Sequence, residues 1–228
     1  MTQHARRPKI EPAGRPAIAI AAVPAVAAVL AGRPRLAVGL SALPAAVAAF
    51  FRDPDRRSDS EPVPPRAILS PADGMVMHAG DPQPGVAPAG DWLQVAVFLS
   101  VFDVHINRSP TAGEVVAVSY KPGRWLAAYS AASATENECS EITLAVPVDG
   151  QQRPLVFRQI VGLLARRIVT RVDPGQRVQA GERIGLMKFG SRMDVFVPRD
   201  CTLEVERGDR AVGGETVIAR WGTGGPAT

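Results

Sequence analysis

The sequence predicts a mostly β protein: a β-sandwich-like body with few short helices and one flattened hairpin stretch, preceded by an N-terminal apolar helical hairpin. Two long apolar runs open the chain, and their length is typical of helices rather than strands. Beyond residue 66, short apolar runs alternate with turn residues, which is typical of strands joined by turns. The 21 glycines and 21 prolines are numerous enough to supply those turns.

The two apolar runs are Ala17–Ala31 and Leu36–Phe51. Each is shorter than the ~20 residues that cross a bilayer upright, and each contains a proline, Pro24 or Pro44. Three interpretations remain open at this point: two short membrane helices, a shallow hairpin at the membrane interface, or two buried helices of a soluble domain.

The basic charge of the chain is concentrated at its N-terminal end. Residues 1–66 contain ten Lys and Arg against five Asp and Glu, whereas residues 67–228 contain sixteen against seventeen. Basic residues beside apolar runs favour an anionic membrane surface as the partner, and no nucleic acid. Because both ends of the apolar pair are basic, we expect the cytoplasmic face of the cell membrane.

Metal and disulfide chemistry are not indicated by the sequence. The histidines His4, His78 and His105 are widely separated, and Cys139 and Cys201 are the two cysteines. One cysteine pair in a chain of this length is not a disulfide framework, and no motif with metal-ligand spacing occurs. We therefore expect no metal site.

Three segments follow from these patterns: an apolar hairpin at 1–52, a linker at 53–66 and a β-rich domain at 67–228. The linker is rich in proline and charge. Short helices are expected at 125–133 and 162–169. The main candidate strands are Ala67–Leu69, Gly74–His78, Trp92–Leu99, Gly113–Tyr120, Glu141–Pro147, Leu155–Gln159, Arg183–Lys188, Met193–Val197, Thr202–Val205 and Thr216–Arg220.

One stretch, Val172–Lys188, has short apolar runs separated by glycines. It resembles the flattened β-sandwich of biotinyl and lipoyl carrier domains, in which a lysine after a methionine lies at a hairpin tip. Lys188 follows Met187 in this way. The alternative function is therefore a membrane-tethered carrier domain modified at Lys188.

Six separated motifs occur in a single order between about residues 50 and 200. Together they resemble the small-type phosphatidylserine decarboxylases, and the apolar N-terminus also fits that family. The motifs are Phe51-Arg-Asp-Pro-Asp-Arg56, Ser70-Pro-Ala-Asp-Gly74, Asp103-Val-His-Ile-Asn-Arg-Ser-Pro110, Asn137-Glu138, Gly162-Leu-Leu-Ala-Arg-Arg-Ile168 and Gly190-Ser191.

The resemblance implies a zymogen that cuts itself at Gly190-Ser191 into fragments 1–190 and 191–228, which stay together as a heterodimer. The Ser191 hydroxyl would attack the Gly190 carbonyl, and elimination followed by hydrolysis would leave a pyruvoyl group at residue 191. This covalent cofactor would form a Schiff base with the amine of phosphatidylserine. Loss of carbon dioxide would then give phosphatidylethanolamine, so the expected partners are a phospholipid substrate and the membrane.

The same resemblance implies that His105 and Asp73 are catalytic, with His105 as the base and Asp73 as its partner. Histidine suits proton transfer near neutral pH. The other reading of His105 is a strand histidine bonded to a backbone carbonyl. Larger family members carry a second histidine where this chain has Arg108, so His105 alone remains for the role of base.

Overall fold

A computed structural model describes residues 9–59, 61–163, 168–188 and 190–222. The chain divides into two compact units, Met1–Asp55 and Arg56–Thr228. The division lies inside the segment predicted as a linker.

The first unit contains three apolar helices, which come between the two strands of a short antiparallel pair in the sequence. Strand β1 pairs antiparallel with β2, and the helices lie between them in the chain. Its elements are β1 (Lys9–Ile10), a 3₁₀ turn (Pro12–Gly14), α1 (Arg15–Leu30), α2 (Pro34–Leu40), α3 (Ala42–Phe50) and β2 (Arg52–Asp53).

Helix α1 is long and apolar enough to cross a membrane. With the preceding turn it forms a helical segment over Pro12–Leu30 with a mean hydropathy of 1.8, and only 11% of that stretch is buried. The second apolar run is interrupted at Ser41, whose Oγ donates to the carbonyl of Val38 at 2.6 Å. The sequence pattern therefore yields one long helix and two short ones, with most apolar side chains facing outward.

The second unit is almost entirely β structure, with a single short helix among its described residues. Its elements are a 3₁₀ turn (Arg57–Asp59), β3 (Ala67–Leu69), β4 (Gly74–Gly80), β5 (Trp92–Leu99), β6 (Ile106–Arg108), β7 (Gly113–Lys121), α4 (Ser133–Glu136), β8 (Cys139–Val148), β9 (Gln151–Ile160), β10 (Ile168–Thr170), β11 (Arg177–Val178), β12 (Arg183–Met187), β13 (Ser191–Pro198), β14 (Thr202–Leu203), β15 (Arg210–Ala211) and β16 (Val217–Arg220).

These strands form one large sheet and two small ones. The large sheet has the antiparallel order β11-β7-β8-β9-β13-β5-β4-β15, and the small sheets have the orders β10-β12-β6 and β14-β16-β3. The hydrophobic core contains side chains from all three sheets, among them Val195 of the large sheet, Ile184 of β12 and Ile218 of β16. Alternate residues of β13 face this core, as the period of a strand requires.

The fold class and the main strands predicted from sequence are confirmed. The apolar runs at 67–69 and 92–99 are strands β3 and β5 with the expected bounds. The helix expected at 125–133 is wrong, because that segment is mostly turns, and α4 begins only at Ser133. Residues 164–167 of the other expected helix, at 162–169, lie outside the described residues, and its last two residues belong to strand β10 instead.

The second half of the predicted linker is bound to the second unit. Arg56 donates through Nη2 to both carboxylate oxygens of Asp73, at 2.8 and 2.6 Å. Asp59 accepts from the buried guanidinium of Arg108 at 2.8 Å. Burial alone would raise the pKa of Asp59, but the bonds from Arg108 and from the backbone of Arg56 outweigh it and hold the pKa below its ordinary value.

Candidate active site

The Gly190-Ser191 peptide lies where the chain passes from one sheet to another. Strand β12 belongs to a small sheet, whereas β13 begins at Ser191 in the middle of the large sheet, between β9 and β5. Ser191 lies opposite Leu99 of β5, and the next residue lies opposite Ile160 of β9. The start of β13 is therefore held on both sides, and the peptide before it forms the crossing.

Ser191 is fully buried, and its Oγ has no hydrogen-bond partner among the described residues. Leaving a buried hydroxyl unpaired costs about 1–3 kcal/mol, so such groups are rare in folded proteins. Gly190 has a φ of +58°, a left-handed conformation that glycine adopts without the cost a side chain would add. The serine hydroxyl thus has no described partner, and it follows a backbone conformation that favours glycine.

His105 contacts Gly190, the residue on the N-terminal side of this peptide bond. Its Nε2 lies 3.2 Å from the backbone nitrogen of Gly190, and its Nδ1 lies 2.9 Å from the carbonyl oxygen of Asp103. The carbonyl of His105 also accepts a hydrogen bond from the backbone N–H of Met187, at the end of β12. The ring is buried, and each of its two nitrogens contacts a backbone group.

These two contacts determine the tautomer of His105. A backbone N–H can only donate, so Nε2 must accept and carries no proton. A carbonyl oxygen can only accept, so Nδ1 must carry the proton. In this arrangement the histidine is neutral, and its basic lone pair points at the residue next to Ser191.

A tight turn before His105 holds the Asp103 carbonyl in place. The Asp103 carboxylate accepts from the backbone N–H and the hydroxyl of Ser100, at 2.8 and 2.7 Å, and from Arg210 at 2.6 Å. Burial alone would raise the pKa of Asp103, but these bonds outweigh it and set the pKa below its ordinary value. The turn therefore keeps its charge and its shape at neutral pH.

The Gly190 carbonyl lies against Gly162. A Cβ added at Gly162 would overlap the Gly190 carbonyl oxygen and would lie 3.1 Å from the Cβ of Ala128. Asn137, which is buried, fixes both neighbouring segments: it pairs with the backbone of Leu126 at 2.9 and 2.8 Å and donates to the Val161 carbonyl at 2.8 Å. Gly162 therefore packs against the Gly190 carbonyl, and Asn137 holds the backbone beside it.

Asn107 is a site residue that the sequence reasoning did not single out. Its Oδ1 accepts from Gln159 at 2.8 Å, whereas its buried Nδ2 has no partner among the described residues. Gln159 lies opposite Met193, two residues after Ser191 on the core side of the large sheet. The spacing of two between His105 and Asn107 could have indicated a shared strand face.

The structure places the other predicted residues away from this contact. The described bonds of Asp73 go to Arg56 and to the backbone N–H of Gly213, and none goes to His105. Arg108 is bound to Asp59 and to the Gly181 carbonyl. The catalytic role of Asp73 stays a prediction, and the side chain sits in an ion pair.

Lys188 lies between β12 and β13, which belong to different sheets. A carrier lysine must project from the tip of a hairpin of paired strands, so this placement gives the carrier alternative no support. The other cation near the site, Arg192, points to the opposite face of β13 and pairs with Asp194 at 2.5 and 3.0 Å. Its Nη1 is buried without a partner among the described residues.

The arrangement defines a class of protein: a β-rich chain in which a buried serine without a described partner follows a left-handed glycine whose N–H is bound to a histidine. Comparison with known proteins specifies the class further. Residues 43–219 match the sequence profile of the phosphatidylserine decarboxylase family. The chain belongs to this family.

Several relatives support the assignment. The chain is 43% identical over 204 residues to the phosphatidylserine decarboxylase proenzyme of Solibacter usitatus, covering 90% of this chain and 92% of the relative. It is 43% identical over 231 residues to the proenzyme of the same name from Erythrobacter litoralis, covering 94% and 89%. The Symbiobacterium thermophilum proenzyme is 47% identical over 173 residues, covering 75% and 77%.

Proposed function

We propose that the chain is a precursor that cuts itself between Gly190 and Ser191, and that the cut protein decarboxylates phosphatidylserine to phosphatidylethanolamine. The observation that carries the proposal is the bond between Gly190 and His105 beside the unpaired Ser191 hydroxyl, in a chain of this family. The name of the relatives, proenzyme, supports the processing step.

In the cleavage, Ser191 is the nucleophile. Its Oγ attacks the carbonyl carbon of Gly190, the peptide C–N bond breaks, and the amide becomes an ester. Removal of the α-proton of residue 191 then expels the Gly190 carboxylate and leaves dehydroalanine, which water hydrolyses with loss of ammonia. Because Ser191 Oγ has no partner among the described residues, no existing bond opposes the attack.

His105 is the base for these proton transfers. Its Nε2 already acts as an acceptor, for the Gly190 N–H, and it would exchange that donor for the hydroxyl of the adjacent Ser191. The Asp103 carbonyl bound to Nδ1 stabilises the proton that remains on the ring. The histidine can therefore accept a proton without a change of tautomer.

Asp73 acts as a positioning residue. Its carboxylate fixes the turn at 70–74 through Arg56 and Gly213, and the Pro71 carbonyl of that turn accepts from the backbone N–H of Arg108. Arg108 ends β6, the strand that His105 leads into. Asp73 thus helps to position His105 through backbone hydrogen bonds rather than by direct contact.

The residues present fit a pyruvoyl group at position 191. Two buried polar groups without described partners, Ser191 Oγ and Asn107 Nδ2, lie on the same side of the large sheet, and the amide offers a donor to a carbonyl. When present, a pyruvoyl group at this position would supply the electron sink that decarboxylation of an amino acid head group needs. His105 would hold the proton that returns to the α-carbon.

The two fragments stay associated after cleavage. Fragment 191–228 contributes β13 to the middle of the large sheet and also β14 to β16. Removing β13 would break its ladders with both β9 and β5 and expose core residues such as Val195. The active protein is therefore a heterodimer of the fragments.

The first unit supplies membrane attachment at the cytoplasmic face. The helical segment Pro12–Leu30 has the length and composition of a membrane span, and only 11% of it is buried. Basic residues occur on both sides of the helical region, as expected for cytoplasmic ends. Attachment brings the protein to its phospholipid substrate.

The mass of the purified chain tests the processing step. We expect two fragments, 1–190 and 191–228, with the second blocked to Edman sequencing. Ser191→Ala should give one uncut chain, because no hydroxyl remains to attack. Ser140→Ala is the matched control, since Ser140 is also buried in the large sheet but is bound to Thr170, and it should cleave normally.

Two results would contradict the proposal. Cleavage of the Ser191→Ala chain at residue 190 would exclude the hydroxyl mechanism. A single chain made heavier by biotin or lipoate would instead support the carrier alternative at Lys188. Production of phosphatidylethanolamine from phosphatidylserine vesicles by the cut protein then tests the decarboxylation.

A further inference from the structure

Large apolar side chains are exposed around the candidate active site. Phe102 is 82% exposed, Tyr129 is 70% exposed and Leu163 is 64% exposed. Scattered exposed apolar residues are ordinary, but a group at one site marks an interaction surface. We call these three residues the apolar rim.

Each rim residue is attached to a segment that contacts Gly190 or its neighbour in space, Gly162. Phe102 is in the turn that ends at Asp103, three residues before His105. Tyr129 follows Ala128, and Leu163 follows Gly162, the residue against which the Gly190 carbonyl packs. The rim therefore belongs to the same three segments that form the site.

The rim residues are held outward by the structure rather than exposed by a loose loop. The Asp103 carboxylate closes the Phe102 turn through two bonds from Ser100, and Ser100 Oγ also accepts from the Phe102 N–H. The Tyr129 ring packs edge-on against Phe98, with ring centroids 6.1 Å apart. A fixed apolar projection suits insertion into a second phase, because little conformational entropy is lost on binding.

A cavity beside the rim has the chemistry of an anionic amphiphile's binding place. It has a volume of about 370 Å³, and its lining includes Tyr129, Phe98 and Met75 together with Arg192 and Arg207. Arg192 is already paired with Asp194 and lies on the face of β13 opposite Ser191, so the exposed guanidinium of this lining is that of Arg207. Apolar walls beside a guanidinium match acyl chains and a phosphate.

We propose that the apolar rim is a docking surface for the interface of a phospholipid bilayer, so that the second unit contacts the membrane through the face that holds the active site. This inference rests on the proposed function, since a head group in the bilayer must reach residue 191. Docking by this face leaves the phospholipid head group only a short distance from residue 191, and it excludes water from the active site. Attachment by the first unit alone would not determine which face of the second unit meets the membrane.

The test places a polarity-sensitive fluorophore on the rim of the full chain. Phe102→Cys is labelled, and Gln151→Cys is the matched control, exposed at the far end of β9 and roughly 30 Å along that strand from its Ile160 end. The native Cys139 and Cys201 are buried, and burial raises the pKa of both thiols, that of Cys201 to about 11. Labelling at neutral pH therefore selects the introduced thiol.

The labelled chains are mixed with phosphatidylcholine vesicles that contain phosphatidylserine, some with brominated acyl chains. We expect a blue shift and bromine quenching at position 102, and neither at position 151. No change at 102, equal changes at both positions, or no binding of the chain to vesicles would each overturn the proposal. This readout does not depend on catalysis, so it stands apart from failure of the proposed decarboxylation.

A second variant links the rim to substrate use. Phe102→Asp should raise the KM for vesicle phosphatidylserine by roughly tenfold, because an exposed Phe contributes its transfer free energy only when it inserts. Complete self-cleavage of the variant would show that the fold is intact. A KM within twofold of the parent's would contradict the docking role.

Discussion

Two regions of the second unit use residues of the same motifs in opposite ways. In the cleavage region, Gly190, Ser191 and His105 carry no formal charge in the tautomer described, and the serine hydroxyl has no described partner. In the ion-pair region, Arg56 is bound to Asp73, and Arg108 is bound to Asp59. The cleavage region leaves the Ser191 hydroxyl without a described partner, whereas the ion-pair region joins these two arginines to two carboxylates.

The difference teaches how to read motif residues. An unpaired buried hydroxyl lowers stability, so its presence indicates chemistry rather than folding. A buried arginine that lost its carboxylate would lower stability further, so its pairing indicates a requirement of the fold. Arg108, which stands where larger relatives have a histidine, therefore has a structural role in this chain.

The largest effect is expected at His105. His105→Ala should slow self-cleavage by about 10²–10⁴-fold, the usual contribution of a general base. The rate of appearance of fragment 191–228 after synthesis measures this. His78→Ala is the control, because His78 bonds only to the Asp81 carbonyl among described partners and should cleave at the parent's rate. Cleavage of His105→Ala within a few-fold of the parent would remove the histidine from the mechanism.

The next effect is on stability. Arg108→Met should lower the free energy of unfolding by about 3 kcal/mol, because it leaves Asp59 without its main partner and the Gly181 carbonyl without its donor. Urea denaturation of the uncut Ser191→Ala background measures the change. Arg124→Met, which removes an exposed ion pair with Glu136, is the control and should cost under about 1 kcal/mol. Equal losses in both variants would erase the distinction between the two regions.

Alanine substitutions at two glycines distinguish a steric effect from a backbone-conformation effect in the cleavage region. Gly162→Ala should slow cleavage by roughly tenfold or more, because its Cβ would displace the Gly190 carbonyl. Gly190→Ala meets open space among the described residues and adds only the cost of a positive φ, about 1 kcal/mol. Cleavage rates of the two variants should therefore rank with Gly162→Ala as the slower.

Asp73 tests whether the two regions communicate. Asp73→Asn should slow cleavage by roughly tenfold, less than His105→Ala, and the two losses should not add, because both act on one base. Restoring a carboxylate with Asp73→Glu should recover part of the rate. Additive losses would show that Asp73 acts independently of His105, through the stability of the ion pair with Arg56.

The smallest effect is a pH dependence of stability. The pKa of Asp59 is lowered in the folded state, so its contribution is present above the unfolded pKa and is lost as the pH falls through the folded value. The stability difference between the parent and Arg108→Met should therefore be constant near neutral pH and shrink below about pH 4. A difference that does not change with pH would exclude the ion pair as its source.

The strands and the motif order could be predicted from the sequence alone. The short apolar runs at 92–99 and 113–120, bounded by turn residues, predicted strands, and β5 and β7 confirm them. The helix expected at 125–133 failed because Asn137 binds the Leu126 backbone and holds the segment as turns. Such a bond between distant backbone and side-chain groups leaves no periodic signal.

The sequence by itself determined that this protein is mostly β, that apolar helices precede its body and that Gly190-Ser191 stands among family motifs. Only the tertiary structure decided the partners: His105 with Gly190, Gly162 with the Gly190 carbonyl, and Asp73 with Arg56 rather than with His105. Periodicity and glycine positions are local properties, and the chain carries them wherever it folds. The contact between His105 and Gly190 depends on how the sheets pack on one another, because residues far apart in sequence meet only through that packing.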